Sequence, residues 1–137
     1  MRQIPLPAPF PEKKKGEKVL LEKDVESAVC TFARREGFWC KKFASPNARG
    51  VPDRIFKISG APFIFIEFKR PGGAVKFPSN ARERLQLREH KRIQEQGGLV
   101  LVIDNIEAGK DVLLQLKHNA NMALIRMKIG MKMEGKL

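Results

Sequence analysis

The sequence predicts a single α/β domain in which a mixed central sheet is flanked by helices. Two apolar runs lie between Gly50 and Arg70. Glycine and proline residues flank each run, which is typical of the two strands of a hairpin. A charged segment of helical pattern over residues 81–96 follows, and then the apolar run LVLVI over residues 99–103. A strand, a helix and a strand in this order favour a right-handed crossover. The last strand is therefore predicted to pair in parallel with the strand that carries Glu67.

The segments before the hairpin are predicted to be an arm, a helix and a first strand. Four prolines within residues 1–18 exclude a helix and predict an extended basic arm. Apolar residues recur at helical spacing from residue 19 to residue 36, and Gly37 ends that segment. Residues 38–43 have the composition of a strand, and a loop rich in turn residues leads from them to Gly50.

The segments after the hairpin begin at a firm break, Pro71-Gly72-Gly73. The helix over residues 81–96 is closed by two glycines, and the fully apolar run over residues 99–103 predicts a central strand covered on both faces. Residues 110–117 predict a short final helix. The predicted organisation is thus an arm over residues 1–18, one domain over residues 19–117, and a basic, Met-rich tail over residues 118–137.

The composition favours a polyanionic partner, most simply nucleic acid. The 137 residues include 27 Lys and Arg against 15 Asp and Glu, which gives a net charge of +12. The apolar runs are too short to span a bilayer, and prolines stand where a signal peptide needs an apolar core. Cys30 and Cys40 lack metal-ligand spacing, so we expect reduced thiols in a cytoplasmic compartment rather than secretion.

Two acids and a lysine form the candidate site. The hairpin is expected to bring Asp53 and Glu67 together, and alternation along a strand points Glu67 and Lys69 to one face and Phe68 to the other. Charged groups on apolar strands are costly to bury uncompensated, and we interpret these acids as ligands of a divalent metal.

A divalent metal at these acids suits phosphodiester hydrolysis, because it neutralises charge on the phosphate and makes water nucleophilic. Mg²⁺ takes one or two carboxylates with further oxygen ligands, and the carbonyl of Phe68 is a candidate for one of these. Lys69 either acts on the attacking water and the developing charge or serves as a counter-ion to Glu67; the sequence favours neither role.

The predicted first helix offers a third acid. Glu22 and Glu26 are four residues apart and share one side of that helix, next to its apolar stripe. The helical pattern does not choose between them.

Together these residues resemble a known family. Gly50-Val51-Pro52-Asp53-Arg54, Glu67-Phe68-Lys69 and Gln86 on the following helix resemble the VRR-NUC domain of the PD-(D/E)XK nuclease superfamily. The resemblance covers residues 20–104 and implies a restriction-endonuclease-like αβββαβ core and DNA cleavage that depends on Mg²⁺ or Mn²⁺. It also implies a catalytic glutamate on the first helix, and Glu26 is favoured because it stands eleven positions before Gly37, as in similar archaeal Holliday-junction resolvases. Gln86 matches the motif glutamine, which helps to position the catalytic groups, whereas His90 is expected at the surface.

The resemblance and the charge also yield expectations about partners. Arg49, Arg54, Arg70 and Lys76 are the predicted DNA contacts. A stand-alone copy of the domain resembles phage-type proteins, which implies a bacterial or phage-encoded protein and a homodimer that cuts branched DNA such as four-way junctions. The arm and the tail are the segments free to build a dimer contact. Two alternatives remain: a nucleic-acid-binding subunit without activity, and a restriction-type enzyme that cuts duplex DNA.

Overall fold

A four-stranded mixed sheet forms the centre of the computed structural model, which describes residues 19–47 and 49–135. The strands are β1 (Trp39–Lys42), β2 (Arg54–Lys57), β3 (Ile64–Phe68) and β4 (Leu99–Ile103), and they lie in the order β1-β2-β3-β4. The pairs β1–β2 and β2–β3 are antiparallel, and β3–β4 is parallel. The predicted hairpin, crossover and mixed sheet are therefore confirmed. The predicted arm over residues 1–18 lies outside the described residues.

Three helices within the described part of the chain cover this sheet. They are α1 (Glu22–Arg35), α2 (Ala81–Glu95) and α3 (Ile106–Met133). Helices α1 and α3 pack against each other and against the sheet, while α2 packs against β4. No helix within residues 19–47 and 49–135 combines the length and the apolar composition that crossing a bilayer requires.

The two faces of β3 differ in chemistry as alternation predicts. Ile64, Ile66 and Phe68 are fully buried in the core beneath α1 and α3. Phe65, Glu67 and Lys69 point to the opposite face, which is the side of α2. One strand thus supplies both a core stripe and two charged site residues.

Helix α1 is held against α3 by small and branched residues. Val25, Val29 and Ala33 are fully buried at helical spacing. A Cβ atom added to Gly109 of α3 would lie 2.6 Å from a methyl group of Val29, so only glycine permits this close approach. The packing fixes the first turn of α1, and hence Glu22, relative to the sheet.

The prediction of β4 as a central strand is wrong, since β4 lies at the edge of the sheet. Its apolar composition arises because α2 and α3 both pack against it. An apolar strand sequence indicates that both faces of the strand are covered, but it does not indicate whether the strand has one neighbouring strand or two.

The predicted short helix over residues 110–117 is much longer in the structure. Helix α3 begins after Asn105, whose side chain accepts a hydrogen bond from the backbone of Ala108 at 2.9 Å, and it continues through Met133. Residues 118–133, predicted as part of a tail, therefore continue this helix. The turn between β2 and β3 supports it, because a Cβ atom on Gly60 would lie 2.7 Å from the carbonyl oxygen of Ala120.

Candidate active site

Three carboxylates converge at one end of the sheet. Glu22 is the first residue of α1, Asp53 directly precedes β2, and Glu67 lies in β3. The β2–β3 register pairs Arg54 with Ile66, so one step further places Asp53 opposite Glu67. Glu22, Asp53 and Glu67 each offer a carboxylate oxygen, and these oxygens all lie within 4.8 Å of one another.

Each of the three carboxylates ionises less readily than a free side chain of its type. Burial, and then the neighbouring charge of Asp53, raises the pKa of Glu67 to about 7. Burial likewise raises the pKa of Asp53, although a hydrogen bond of 2.7 Å from the backbone N–H of Phe68 opposes that shift. The pKa of Glu22 is raised by burial and then by Asp53.

One oxygen of this cluster is left without a partner. Glu67 is 1% exposed, and its Oε1 atom accepts a hydrogen bond from Gln86 at 2.9 Å. Its Oε2 atom is buried and has no hydrogen-bond partner within the described residues. A buried, unsatisfied carboxylate oxygen among acidic neighbours fits the oxygen-ligand set of a divalent cation.

Lys69 lies directly beside the cluster and is surrounded by acceptors. Its Nζ atom is 2.8 Å from Oε1 of Gln86, 2.8 Å from Oε2 of Glu83 and 3.4 Å from Oε1 of Glu67. The ammonium group also lies 5.2 Å from the centre of the Phe77 ring. Gln86 contacts both Glu67 and Lys69, so helix α2 fixes the position of the lysine relative to the acids.

A cleft opens next to these groups, between the loop before β2 and the start of α2. Its volume is about 580 Å³, and it is lined by Arg49, Gly50, Val51, Asp53, Ala81, Arg82, Leu85 and Gln86. Gly50 has φ +88°, and a Cβ atom there would lie 2.8 Å from the carbonyl oxygen of Leu85. The sequence thus places glycine where the loop touches the backbone of α2.

Known proteins share this architecture. A solved structure described as "VRR_NUC domain" is 22% identical with a TM-score of 0.54, and the match covers 69% of this chain and 94% of that one. A second, "VRR_NUC domain protein", is 20% identical with a TM-score of 0.57, over 72% of this chain and 89% of its own. No family profile matches the chain. A protein of Acyrthosiphon pisum secondary endosymbiont phage 1, named "Putative nuclease p44", is 34% identical over 88 residues, which are 64% of this chain and 87% of the phage protein.

The chain belongs to the VRR-NUC nuclease family. The restriction-endonuclease-like mixed α/β fold expected from the resemblance is therefore confirmed.

The structure places the other of the two first-helix glutamates, and not the one favoured by the sequence, next to the acids of the sheet. Glu22, and not Glu26, lies with Asp53 and Glu67. Glu26 accepts a hydrogen bond of 2.9 Å from Nε of Arg54, and both side chains are about one-fifth exposed. The geometry therefore does not support the choice of Glu26, because this glutamate is engaged by an arginine on β2.

The predicted DNA contacts separate into three groups. Arg49 lines the cleft. Arg54 is directed at α1 and paired with Glu26, so it is not presented at the cleft. Arg70 and Lys76 are exposed but do not line the cleft.

Helix α2 carries site residues that the sequence analysis missed. Arg82 lines the cleft, and its charge opposes the rise in the pKa of Asp53. Glu83 lies against Lys69, and the hydrogen bond from Lys69, followed by that from the Ser79 hydroxyl, lowers the pKa of Glu83 to about 2. Helical spacing could have indicated these two residues, because positions 82, 83, 86 and 90 share one side of a helix.

His90 lies on that same side of α2 and is buried, so its expected surface position is wrong. Its ring stacks on Phe77 with centroids 5.6 Å apart.

Proposed function

We propose that this chain is a divalent-metal-dependent DNA endonuclease that hydrolyses phosphodiester bonds. The observation that carries the proposal is the convergence of Glu22, Asp53 and Glu67 within 4.8 Å of one another beside Lys69. The family is named for nucleases, and the phage relative carries the same word in its name. A binding subunit without activity would not need the costly burial of Glu67 beside two further acids.

The acids are assigned to the metal and Lys69 to the reacting groups. Glu22, Asp53 and Glu67 would hold Mg²⁺ or Mn²⁺, with the carbonyl of Phe68 as a further candidate ligand. When bound, the ion would supply charge neutralisation at the phosphate and a more acidic water. Lys69, held by Gln86 and Glu83, is directed at the acid cluster, where a fixed ammonium group stabilises negative charge that develops at the phosphate.

DNA is the proposed substrate because the charge and the cleft favour a polyanion. The chain carries a net charge of +12, and the arginines Arg49 and Arg82 line the cleft that contains Asp53. Contacts of this kind bind phosphate irrespective of base sequence and weaken as salt concentration rises. We therefore assign the cleft to the DNA backbone.

Branched DNA, such as a four-way junction, is the substrate form we propose. The part of the chain that the structure describes offers one acid cluster. Paired cuts in two strands therefore require two copies, and a homodimer with two-fold symmetry provides them. The resemblance to junction-cutting nucleases supports this choice over a restriction-type enzyme.

Cleavage assays with isosteric variants test the proposal. Four-way, flap and duplex DNA are incubated with the full chain in Mg²⁺, in Mn²⁺ and in chelator. We expect metal-dependent cuts, strongest on the junction, and at least a hundredfold loss for Asp53→Asn and for Lys69→Met. Leu114→Ala, at a 45%-exposed site on α3, is the matched control and should cut normally.

Binding measured in chelator separates catalysis from docking. Asp53→Asn and Lys69→Met should still bind the junction, because Asp53 and Lys69 are assigned to hydrolysis. Undiminished Mg²⁺-dependent cutting by either variant would exclude the proposed site. DNA binding without any cutting by the wild-type chain would instead identify a binding subunit.

A further inference from the structure

The face of the sheet on the side of α2 is only partly covered. Helix α2 packs against β4, and within the described residues no helix packs on β1 and β2 from this side. We call this surface the open sheet face; its residues by strand alternation are Trp39, Lys41, Phe43, Ile55, Lys57, Phe63 and Phe65. Their strand neighbours Cys40, Phe56 and Ile64 point the other way and are buried beneath α1.

Large aromatic rings stand on the open sheet face with much of their surface exposed. Trp39 is 48% and Phe63 is 49% exposed, and their rings meet edge to face with centroids 6.5 Å apart. Phe43 and Phe65 form a second pair at 5.3 Å. Clustered exposed rings of this kind mark a contact surface rather than scattered surface residues.

The charge of the open sheet face has one sign. Outside the acid cluster at its end, where Asp53 and Glu67 lie, it contains two lysines and no acidic residue. The Lys57 ammonium group donates to the backbone carbonyls of Ile58 and Ala61 and lies 5.7 Å from the centre of the Phe63 ring. A fixed cation beside an exposed ring can therefore contact a phosphate while a base stacks on the ring.

Charge also distinguishes between two occupants. In a two-fold contact with a second copy, the same patch would face itself, and its lysines would meet no acidic partner. A single-stranded segment of DNA matches both the rings and the lysines of the face, since its bases present flat apolar surfaces and its backbone is anionic. A blunt duplex keeps its bases stacked and offers these rings little to bind.

The open sheet face is continuous with the candidate active site. The backbone N–H of Phe43 donates to the carbonyl of Asp53 at 2.9 Å. Lys57 on β2 lies four residues after Asp53, which corresponds to roughly 13 Å at the usual rise of a strand. A DNA strand that enters the cleft can therefore continue across the rings.

We propose that the open sheet face binds a single-stranded segment of the DNA substrate next to the strand that is cut, through base stacking on Trp39 and Phe63 and phosphate contacts of Lys41 and Lys57. The proposal rests on the nuclease function proposed above and adds a feature of its branched substrate: bases that are unpaired next to the cut, as at an opened branch point.

Intrinsic fluorescence gives a direct test, because Trp39 is the only tryptophan of the chain. The full chain is titrated in chelator with oligothymidylate, and separately with the duplex of oligothymidylate and oligodeoxyadenylate. We expect the single strand to quench Trp39 emission strongly and the duplex to quench it weakly. An oligothymidylate that binds, as judged by anisotropy of an end label, without changing Trp39 emission overturns the proposal.

Paired substitutions at Phe63 separate stacking from other apolar contacts. Phe63→Leu keeps an apolar side chain without a ring and should weaken binding of oligothymidylate on the order of tenfold. Phe63→Tyr keeps the ring and should bind nearly as the wild type does, as should Leu114→Ala on α3. Equal binding by Phe63→Leu and wild type contradicts the proposal, provided that both melt at the same temperature.

Sedimentation of the same variants tests the competing occupant. If Phe63→Leu converts a dimer to a monomer and leaves oligothymidylate binding unchanged, the face is a contact between copies and the proposal is wrong. These measurements involve no cleavage. Failure of the nuclease proposal, detected with Asp53→Asn, is therefore distinguishable from failure of this one.

Discussion

Replacing Gly50 by alanine tests whether the contact between the loop before β2 and helix α2 shapes the active site. Gly50 has φ +88°, and an L-residue there costs about 1–2 kcal/mol of folding free energy. The new Cβ atom would also lie 2.8 Å from the carbonyl oxygen of Leu85 and 3.0 Å from the amide nitrogen of Gln86. Since ordinary contact begins near 3.4 Å, the loop and the helix must separate by about 0.6 Å.

This separation acts directly on the chemistry. The loop carries Asp53 and the helix carries Gln86, which contacts both Glu67 and Lys69. Displacements approaching 1 Å cost an enzyme up to a hundredfold in rate. We therefore expect Gly50→Ala to lower the cleavage rate at least tenfold and to lose more than 2 kcal/mol of stability in urea unfolding.

Gly97→Ala is the matched control for backbone strain. Gly97 follows α2 with φ +86°, and a Cβ atom there would meet nothing within 4 Å. This variant should lose about 1–2 kcal/mol of stability and keep its cleavage rate. If Gly50→Ala and Gly97→Ala lose the same stability and both cut normally, the close approach at Gly50 has no role in the site.

Four further predictions concern the acid cluster and its lysine. Glu22→Gln should lower metal-dependent cleavage at least a hundredfold while Glu26→Gln cuts nearly normally, and the reverse order in the same assay would restore Glu26 as the helix acid. The pKa of Glu67 is raised from 4.5 to about 7, so the contribution of the protonated side chain to stability is complete below pH 4.5 and disappears as the pH rises through 7. Urea unfolding in chelator should therefore show that the free energy of unfolding falls by up to about 3 kcal/mol between pH 5 and pH 8. Glu67→Gln should abolish this loss. Mg²⁺ affinity, measured by calorimetry, should rise over the same interval because the ion binds the ionised carboxylates, and a flat profile would contradict the assignment. Glu83→Gln should lower kcat several-fold with little change in KM, because Lys69 loses a charged acceptor at 2.8 Å while the cleft is retained; an altered KM with normal kcat would instead place Glu83 in DNA binding.

The parts of the fold that local patterns determine were predictable. The hairpin follows from the Gly- and Pro-bounded apolar runs, and alternation along β3 places Glu67 and Lys69 on one face. The length of α3 was not predictable in this way. Its second half packs on the turn at Gly60, a contact between segments some sixty residues apart in the sequence. The position of β4 at the edge likewise depends on which strands pair, which composition does not report.

The candidate site shows the same division between local and distant contacts. The motif residues Asp53, Glu67, Lys69 and Gln86 are brought together as the sequence predicted. Glu83 and Arg82 were missed because charged residues on a helix usually face solvent, and only the position of α2 against Lys69 and the cleft gives these two a role.

A single ion pair explains why Glu22, and not Glu26, lies in the acid cluster and why Arg54 does not line the cleft. Residues 53 and 54 are adjacent, so along β2 they point to opposite faces, and Arg54 is directed at α1 while Asp53 joins the acid cluster. Glu26 meets Arg54 at 2.9 Å, and Glu22, one turn earlier on the same side of α1, reaches past that arginine to the end of the sheet. Since helical periodicity gives both glutamates the same side, only the partner 28 residues away decides which of them remains free to bind a cation.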